Sequence, residues 1–351
     1  MKIDDFISYE QPANYIVGSD QYVENGKTPV LTAGQSFILG YTDEKDGIYN
    51  DFPVVIFDDF TTSVQYVDFP FKVKSSAMKI LKNKENANIK FCYYLLSWLQ
   101  EMPPNHKRQW ISTTSQIDIN LPSLDEQEEI VKKIEATSNI ISNRNRELEL
   151  LDDLIKARFV EMFGDENNSK KWDIVNVEEV ADVKVGVVIK PSQYYTDEKN
   201  GIRAFRSLNI GEGCIKDSDW VYFTEEGQQK NSKSILKEND LLIVRSGAPG
   251  TACVVTKEYE GCNAIDIIIA HPDCKKVNPY YLCSFTNMPH GKKQIDEGTG
   301  GAAQQHFNVG KYNKLQLMLP PKKLQDEFVE FIKQVDKSKF MKGCKLLCLY
   351  Q

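Results

Sequence analysis

The sequence predicts an α+β fold in which two similar β-rich domains are separated by long helices. A Leu-Pro phrase occurs twice in the 351 residues, at 119–134 and 315–332, and the first copy opens an unbroken helical pattern. Strand-rich sequence precedes each copy. The predicted segments are the domains 1–122 and 166–320, a spacer helix at 123–165 between them, and a second, shortened helix at 321–351.

Each β-rich domain is indicated by two apolar runs that flank a turn. In the first domain, PVVIFDD at 53–59 and VQYVDF at 64–69 enclose a Thr-Thr-Ser turn. In the second, DLLIVRSGAPGTACVVTK at 240–257 has the same rhythm, with Gly-Ala-Pro-Gly as the turn. Short apolar runs around turn residues are typical of strand–turn–strand units, so we expect a hairpin in each domain.

Aromatic runs follow the strand-rich sequence in both domains and extend the repeat. They are FCYYLLSW at 91–98 and NPYYLCSF at 278–285, where we match Tyr94-Leu95 with Tyr281-Leu282. The octapeptides that begin at Tyr41 and Tyr195 agree at seven of eight positions, but their offset differs from that of the Leu-Pro pair. Because such Asp-Gly and Asn-Gly sequences recur wherever a turn needs positive φ, we interpret them as similar turns rather than a shared site.

The Leu-Pro phrase carries the strongest evidence for duplication. Six of sixteen aligned positions are identical, and the alignment pairs Leu121, Pro122, Gln127, Glu129, Val131 and Ile134 with Leu319, Pro320, Gln325, Glu327, Val329 and Ile332. The first copy has a capping-box spacing, Ser123 to Glu126, and acidic residues in the first turns, where the helix dipole favours them. Gly164 is the predicted helix end.

Apolar residues repeat every seventh position along the predicted spacer helix. They are Ile134, Ile141, Leu148, Ile155 and Met162, with Val131 and Phe159 at the companion position. A heptad held this long is typical of a coiled-coil seam, and the second copy at 321–340 is the expected partner. A long helix that packs only on its own domain is the alternative.

Composition restricts the class of protein. With 41% hydrophobic residues, no signal peptide and no run of the roughly 20 apolar residues that a membrane span needs, we expect a soluble, cytoplasmic protein. The eight cysteines form no CxxC pair, and the His271–Cys274 spacing has no second half, which favours reduced thiols over a metal site. A net charge of −7 argues against a general nucleic-acid binder, although basic faces can coexist with acidic helices.

The chain lacks the sequence motifs of common catalytic sites. It has no P-loop, no Gly-x-Ser-x-Gly elbow and no HExxH pair, and the Gly-rich GTGGAAQ at 298–304 lacks the Lys-Ser/Thr of a phosphate loop. We therefore expect a non-catalytic protein without a cofactor or metal. Two alternatives stay open: an enzyme with its own active site, and a coiled-coil scaffold whose two domains bind protein or glycan.

At this point the sequence resembles the specificity subunit of type I restriction–modification systems. The resemblance rests on Leu-Pro-x-Leu-x-Glu-Gln-x-x-Ile at 121–130, ARFVEMFGD at 157–165 and KKWDIVNVEEVADVKVG at 170–186, and it covers essentially the whole chain. It implies two target-recognition domains that each read half of a split DNA sequence. It also implies that the two long helices form an antiparallel coiled coil, set the spacing between half-sites and dock two methyltransferase (M) subunits. Restriction (R) subunits complete such a complex, and the specificity subunit itself performs no chemistry.

Residues that could contact DNA are polar or basic and stand on predicted loops. Those in the first domain are Thr61, Thr62, Ser63, His106, Lys107 and Arg108. Those in the second domain are Arg203, Arg206, Ser207, Arg245, Ser246, Lys292, Lys293, Gln304, Gln305 and His306. Each could instead be an ordinary solvated loop residue. The loop GTGGAAQQHF is the best single candidate, because glycines permit close approach and glutamines suit adenine edges.

The second helix departs from the heptad pattern. Lys339 stands where the first helix has Ile141, and Gly343 follows. We therefore expect an asymmetric helix pair, in which part of the first helix is unpaired or mediates self-association.

Overall fold

The computed structural model describes residues 1–19, 21–32, 36–101, 107–165, 167–299 and 307–347. The chain divides into two compact units, Met1–Arg144 and Asn145–Gln351. Strands and helices alternate in both, and one long helix runs across the division, so the predicted α+β class is confirmed.

The first unit is built around a four-stranded antiparallel sheet with the order β1-β7-β4-β5. A smaller sheet, β3-β2-β6, pairs β2 with β3 antiparallel and with β6 in parallel. The strands are β1 (Ile7–Glu10), β2 (Thr28–Leu31), β3 (Ile38–Thr42), β4 (Val54–Asp58), β5 (Val64–Val67), β6 (Lys72–Val73) and β7 (Met78–Asn83). The helices are α1 (Ile3–Phe6) and α2 (Ile89–Trp98), and α3 (Leu124–Phe163) begins in this unit and continues into the second.

The second unit repeats this plan. Its antiparallel sheet has the order β9-β16-β13-β14, and its second sheet, β10-β12-β11-β15, again joins one antiparallel and one parallel neighbour to a central strand. The strands are β8 (Ile174–Asn176), β9 (Ala181–Val185), β10 (Tyr195–Thr196), β11 (Ile202–Phe205), β12 (Val221–Phe223), β13 (Leu241–Val244), β14 (Ala252–Val254), β15 (Asn263–Ala264), β16 (Ile267–Pro272) and β17 (Gln316–Met318). The helices are α4 (Glu225–Lys230), α5 (Pro279–Asn287), α6 (Pro289–Thr299), α7 (Val309–Asn313) and α8 (Lys322–Leu347).

The strands predicted from apolar runs are the central strands of the two main sheets. All residues of β4 and β13 are buried. Their side chains alternate between two cores: Leu241 and Ile243 face one cluster, and Leu242 and Val244 face the other. A strand covered on both faces reads as a continuous apolar run because neither face needs polar side chains. Both predicted hairpins are confirmed, since β4 pairs with β5 and β13 with β14.

The similar octapeptides occupy different places in the two units, as their offset indicates. Tyr41 lies in β3, which pairs with the central strand β2. Tyr195 begins β10, an outer strand that pairs with β12. The strand that corresponds to β3 by its pairing is β12, not β10. The two sequences are therefore not copies of one site, but the expected positive φ occurs only at Gly47 (64°) and not at Gly201.

The aromatic helices α2 and α5 occupy corresponding places in the two units, but their residues align three positions away from the predicted match. Asn88 caps α2 through hydrogen bonds from the backbone N–H of Lys90 and Phe91, and Asn278 caps α5 by accepting from the N–H of Tyr280. Aligning these caps places Phe91, rather than Tyr94, opposite Tyr281. Both of those aromatic side chains are buried. The match of Tyr94-Leu95 with Tyr281-Leu282 was wrong by nearly one helical turn.

The spacer helix α3 begins and ends where the sequence predicts. The Glu126 carboxylate accepts from the Ser123 N–H at 2.8 Å, and the Glu126 N–H is 3.4 Å from the Ser123 hydroxyl, which confirms the capping box. The Ser123 hydrogen bonds hold the pKa of the Glu126 carboxyl below its usual value. Gly164 follows the last helical residue. Its φ of 91° is a left-handed conformation that favours glycine over other residues.

Within the second unit, α3 and α8 pack against each other with antiparallel polarity. The Phe159 and Phe328 rings lie 5.5 Å apart, the Arg158 guanidinium lies 5.8 Å from the Phe331 ring, and the Asp152 carboxylate lies 2.5 Å from Lys339 Nζ. The contacts that lie nearer the start of α3 therefore lie nearer the end of α8. The expected antiparallel pairing is confirmed for these turns, and Lys339, which breaks the heptad, makes an ion pair instead.

The predicted seam residues lie in different environments along α3. Val131 is buried at its start, and Phe159 is fully buried near its end. Ile134 and Leu148 are half-buried, whereas Ile141 is 39% exposed. Ile155 and Met162 pack on the core of the second unit, as does Ile332 of α8.

Candidate nucleic-acid interface

In the first unit, the turn between β4 and β5 is shaped by its own hydroxyl groups. The Thr61 hydroxyl donates to the Asp58 carboxylate at 2.7 Å, and the Phe60 N–H donates to the same carboxylate. Thr62 has a φ of 60°, and its hydroxyl donates to the carbonyl of Glu101 at 2.8 Å. Thr61 and Thr62, predicted to contact DNA, thus fix the shape of the turn, and Ser63 leads into β5.

A buried ion pair fastens a second loop to this turn. Asp59 and Lys79 expose 2% and 0% of their side chains, and their charged atoms lie 3.2 Å apart. The other oxygen of Asp59 accepts from the backbone N–H of Gln109 and Trp110 at 3.1 and 2.9 Å. The exposed Lys107 and Arg108 directly precede these residues, and Arg108 Nε lies 4.0 Å from Asp59. The structure therefore brings two predicted groups together, while His106 lies outside the described residues.

The corresponding turn of the second unit begins at Arg245. Its guanidinium pairs with Asp266 and donates to the carbonyl of Phe307 at 3.3 Å, and the Phe307 N–H donates back to the Arg245 carbonyl. In the first unit, the N–H of Gln109 donates to the Asp59 carbonyl in the same way. Gln109 and Phe307 differ by the offset of the Leu-Pro repeat. Gln304, Gln305 and His306, which precede Phe307, lie outside the described residues.

The other predicted cations of the second unit also have partners. Arg203 stacks 5.5 Å from the Trp220 ring and lies 3.8 Å from Asp217. Arg206 donates to the backbone carbonyl of Asp219, and Lys292 pairs with Glu212. Lys293 is exposed next to Lys292 on α6. These pairs hold the positive groups in place and partly neutralise them, so we expect contacts to phosphate more than base reading from them.

Two predicted serines of the second unit line one cleft. Ser207 lies on the segment after β11, and Ser246 lies on the turn after β13. A cleft of about 440 Å³ separates these segments, and both serines are part of its wall. Residues far apart in sequence thus share one concave surface.

The buried cysteines beside this region are unreactive. Burial raises the pKa of the Cys262 thiol to about 11, and it also raises the pKa of the Cys253 thiol. Both are therefore protonated at neutral pH, and a protonated thiol is a poor nucleophile and metal ligand. In the described part of the chain, no cluster of three or more His, Cys, Asp or Glu side chains could hold a metal ion.

Sequence reasoning missed the ion pairs that organise the turns. Asp59, Lys79 and Asp266 carry no motif, because their meaning depends on which strands are neighbours. The one available signal is a charged residue directly after an apolar run, as in VVIFDD and LLIVR.

No helix among the described residues is both long and apolar enough to cross a membrane.

Comparison with known proteins points in one direction. A family model described as "Type I restriction modification DNA specificity domain" matches residues 1–151 and 169–345. The Escherichia coli "Type I restriction enzyme EcoR124I/EcoR124II specificity subunit" is 32% identical over 260 residues, 70% of this chain and 63% of that protein. The Methanocaldococcus jannaschii "Type I restriction enzyme MjaVIII specificity subunit" is 26% identical over 140 residues, 36% of this chain and 32% of that protein. The chain spans less than two thirds of the length of both relatives.

Two solved structures have a similar fold. The "Type-I restriction-modification system S subunit from M. genitalium" superimposes with a TM-score of 0.62 at 15% identity, covering 100% of this chain and 92% of that one. A chain from a study of "complex assembly" and "conformational transition of the type I R-M system" has a TM-score of 0.53 at 16% identity, covering 84% and 77%. At these identities the likeness shows the fold alone.

Proposed function

Because the chain belongs to the family of type I restriction modification DNA specificity domains, we propose that it reads DNA sequence for a type I restriction–modification complex. Each target-recognition domain, 1–122 and 166–320, reads one half of a bipartite site. The observation that supports this most is the duplication. The family model matches both halves of the chain, and both units have the same order of strands in the main sheet. In both, the turn after the central strand is hydrogen-bonded to a second loop, at Gln109 or Phe307. Two similar readers joined by a helix suit two half-sites with an unread spacer.

The helices hold the two readers and provide the docking surface for the partners. In this proposal the chain performs no chemistry and needs no cofactor. Two methyltransferase subunits bind along the helices, restriction subunits complete the assembly, and the complex works in the cytoplasm. Exposed apolar side chains on α3 support such docking, since Ile140, Leu150 and Leu154 expose 53%, 55% and 47% of their surface. Self-association through Ile141 and its neighbours would use the same surface.

The distribution of charge is compatible with DNA binding despite the net charge of −7. Helix α3 has ten acidic and six basic residues, a net charge of −4, and residues 1–122 have the same net charge, with 15 acidic and 11 basic residues. Residues 166–320 are nearly neutral, with 20 acidic and 19 basic residues. Basic side chains such as Lys107 and Lys293 then act locally on phosphate groups.

The proposal is tested by expressing the chain with the methyltransferase subunits of its own system and mapping modified bases by sequencing. We expect one bipartite sequence, and no modification by the chain alone. Duplex binding should weaken steeply as salt rises, with a slope of about −0.9 per phosphate contact. Lys107→Ala and Lys292→Ala should each reduce that slope by about one, whereas Lys337→Ala on α8 should not. Salt-independent binding, or modification without the methyltransferase, would contradict the proposal.

A further inference from the structure

The cleft beside the hairpin turn of the second unit has walls fixed by the backbone. One wall is residues 207–216, which β14 holds through a hydrogen bond of 2.9 Å from the Gly213 N–H to the Ala252 carbonyl. The other is the turn 244–251, closed by a 3.0 Å bond from the Gly250 N–H to the Val244 carbonyl. A surface held by backbone bonds on both sides is preorganised for a ligand.

The lining of the cleft combines aliphatic groups with hydroxyls. Leu208, Ile210, Val244 and Ala248 supply apolar surface. The hydroxyls come from Ser207, Ser246 and Thr251. Leu208 exposes 63% of its surface although it is large and apolar, so its side chain is presented rather than packed away.

Charge at the rim also suits the edge of a nucleic acid. Lys216 lines the cleft, and the Glu212 carboxylate, which would repel phosphate, is paired with Lys292. No aromatic side chain is among the described lining residues, so the cleft offers no stacking platform for an extrahelical base. It suits a base edge that stays in the duplex.

Among base edges in the major groove, thymine offers an acceptor oxygen beside a methyl group, which matches hydroxyl donors beside aliphatic carbon. We propose that this cleft reads the 5-methyl edge of a thymine in the half-site of the second unit, with Leu208 as the side chain that contacts the methyl. This assignment rests on the proposed function and names what one part of that surface recognises. Leu208 is then a specificity-determining residue.

Replacing thymine by uracil in the DNA removes only the methyl group and so tests the contact. The full chain is purified with its methyltransferase subunits, and duplexes free of 5-methylcytosine carry uracil at one thymine of the second half-site at a time. At one position we expect an affinity loss of about four-fold, which corresponds to about 0.8 kcal/mol for one buried methyl-sized group. Leu208→Ala should bind the thymine duplex more weakly and respond no further to uracil at that position.

Ile174→Ala is the matched control, because Ile174 is an exposed apolar residue of the same unit, on β8. It should keep the full thymine-to-uracil difference. If the complex reads its bipartite site but Leu208→Ala retains the wild-type response at every thymine, the cleft assignment is overturned and the proposed function stands. If the complex shows no sequence preference at all, the proposed function fails first. Leu208 is exposed, so loss of folding should not obscure the result.

Discussion

In the first unit, the residue after the central strand β4 is the acid Asp59, which pairs with Lys79 of β7; in the second, the residue after β13 is the base Arg245, which pairs with Asp266 just before β16. The sheets have the same order, and the residue after the central strand accepts a backbone hydrogen bond from equivalent residues, Gln109 in the first unit and Phe307 in the second. The polarity of the pair is inverted, and its burial differs. One backbone arrangement therefore accepts either sign of charge, provided that a partner comes from the neighbouring strand.

The joints between domain and helix, by contrast, share the hydrogen bonds of one glutamine. The buried amide of Gln127 accepts from the Asn88 N–H at 2.8 Å and donates to the carbonyl of Pro122 at 2.9 Å. Gln325 accepts from the Asn278 N–H at 2.8 Å and donates to the carbonyl of Pro320 at 2.8 Å. The joints therefore keep the shared structure, whereas the two units diverge at the turns.

The largest effect should come from removing the acid of the buried pair. Asp59→Ala leaves Lys79 charged and buried, so we expect the free energy of unfolding of the first unit to fall by about 3–5 kcal/mol. Arg245→Ala opens a pair whose side chains are 16% and 47% exposed, and should lower that of the second unit by only about 1 kcal/mol. Urea denaturation followed by tryptophan fluorescence measures both when the proteins retain only Trp110, for the first unit, or only Trp220, for the second.

The double variant Asp59→Leu/Lys79→Met is the control for this comparison. Replacing both charges by apolar groups should recover most of the lost stability, because no unpaired ion remains. Equal losses for Asp59→Ala and Arg245→Ala would show that burial does not distinguish the two pairs.

A smaller effect, equal in the two units, is expected at the joints. Gln127→Ala and Gln325→Ala each leave buried backbone groups without their partner, and should each lower the free energy of unfolding by roughly 2 kcal/mol. Lys132→Ala, an exposed change on the same helix, should stay within about 0.5 kcal/mol. A clear difference between the glutamine variants would break the equivalence of the joints.

The smallest effect concerns a carboxylate that only the second joint uses. Asp326 accepts from Lys322 and from the Asn278 side chain at 2.7 Å, and these bonds hold the pKa of its carboxyl below its usual value. Because the folded pKa is lowered, its stabilisation is present above the unfolded pKa of about 4 and is lost as pH falls through the folded pKa. Asp326→Asn should remove this acid sensitivity of the second unit at a cost below about 1 kcal/mol.

Glu128 provides the test in the first unit, since it occupies the position that corresponds to Asp326 and is exposed. Glu128→Gln should leave the acid unfolding of the first unit unchanged. A shift as large as that of Asp326→Asn would mean that both joints depend on a carboxylate.

Local patterns in the sequence predicted much of the fold. The apolar runs identified β4 and β13, and Ser123, Glu126 and Gly164 marked the ends of α3. The register of α2 against α5 was missed, because a shift of three residues is nearly one helical turn and leaves almost the same face buried. Only the capping contacts of Asn88 and Asn278 distinguish the two registers.

The candidate interface could be predicted less completely. The sequence identified the turn after β4 and the Lys107–Arg108 loop as separate groups, and the structure joins them through Asp59. It could not show that Arg245 and Lys292 are already paired, because Asp266 and Glu212 become their neighbours only through the sheet topology. Residue type identifies a possible contact, but the partner across the fold decides what the side chain is free to do.

The opposite polarity of the two turn pairs also limits which segments the two units could exchange. A hybrid with the β4 turn after β13 would lack the cation that pairs with Asp266, and the reciprocal hybrid would lack the carboxylate that pairs with Lys79. Lys79 would then be buried without its counter-ion, which is strongly destabilising. An exchange at the matching glutamine joints would keep each of these ions with its partner. Whole units should therefore tolerate exchange better than the turns within them.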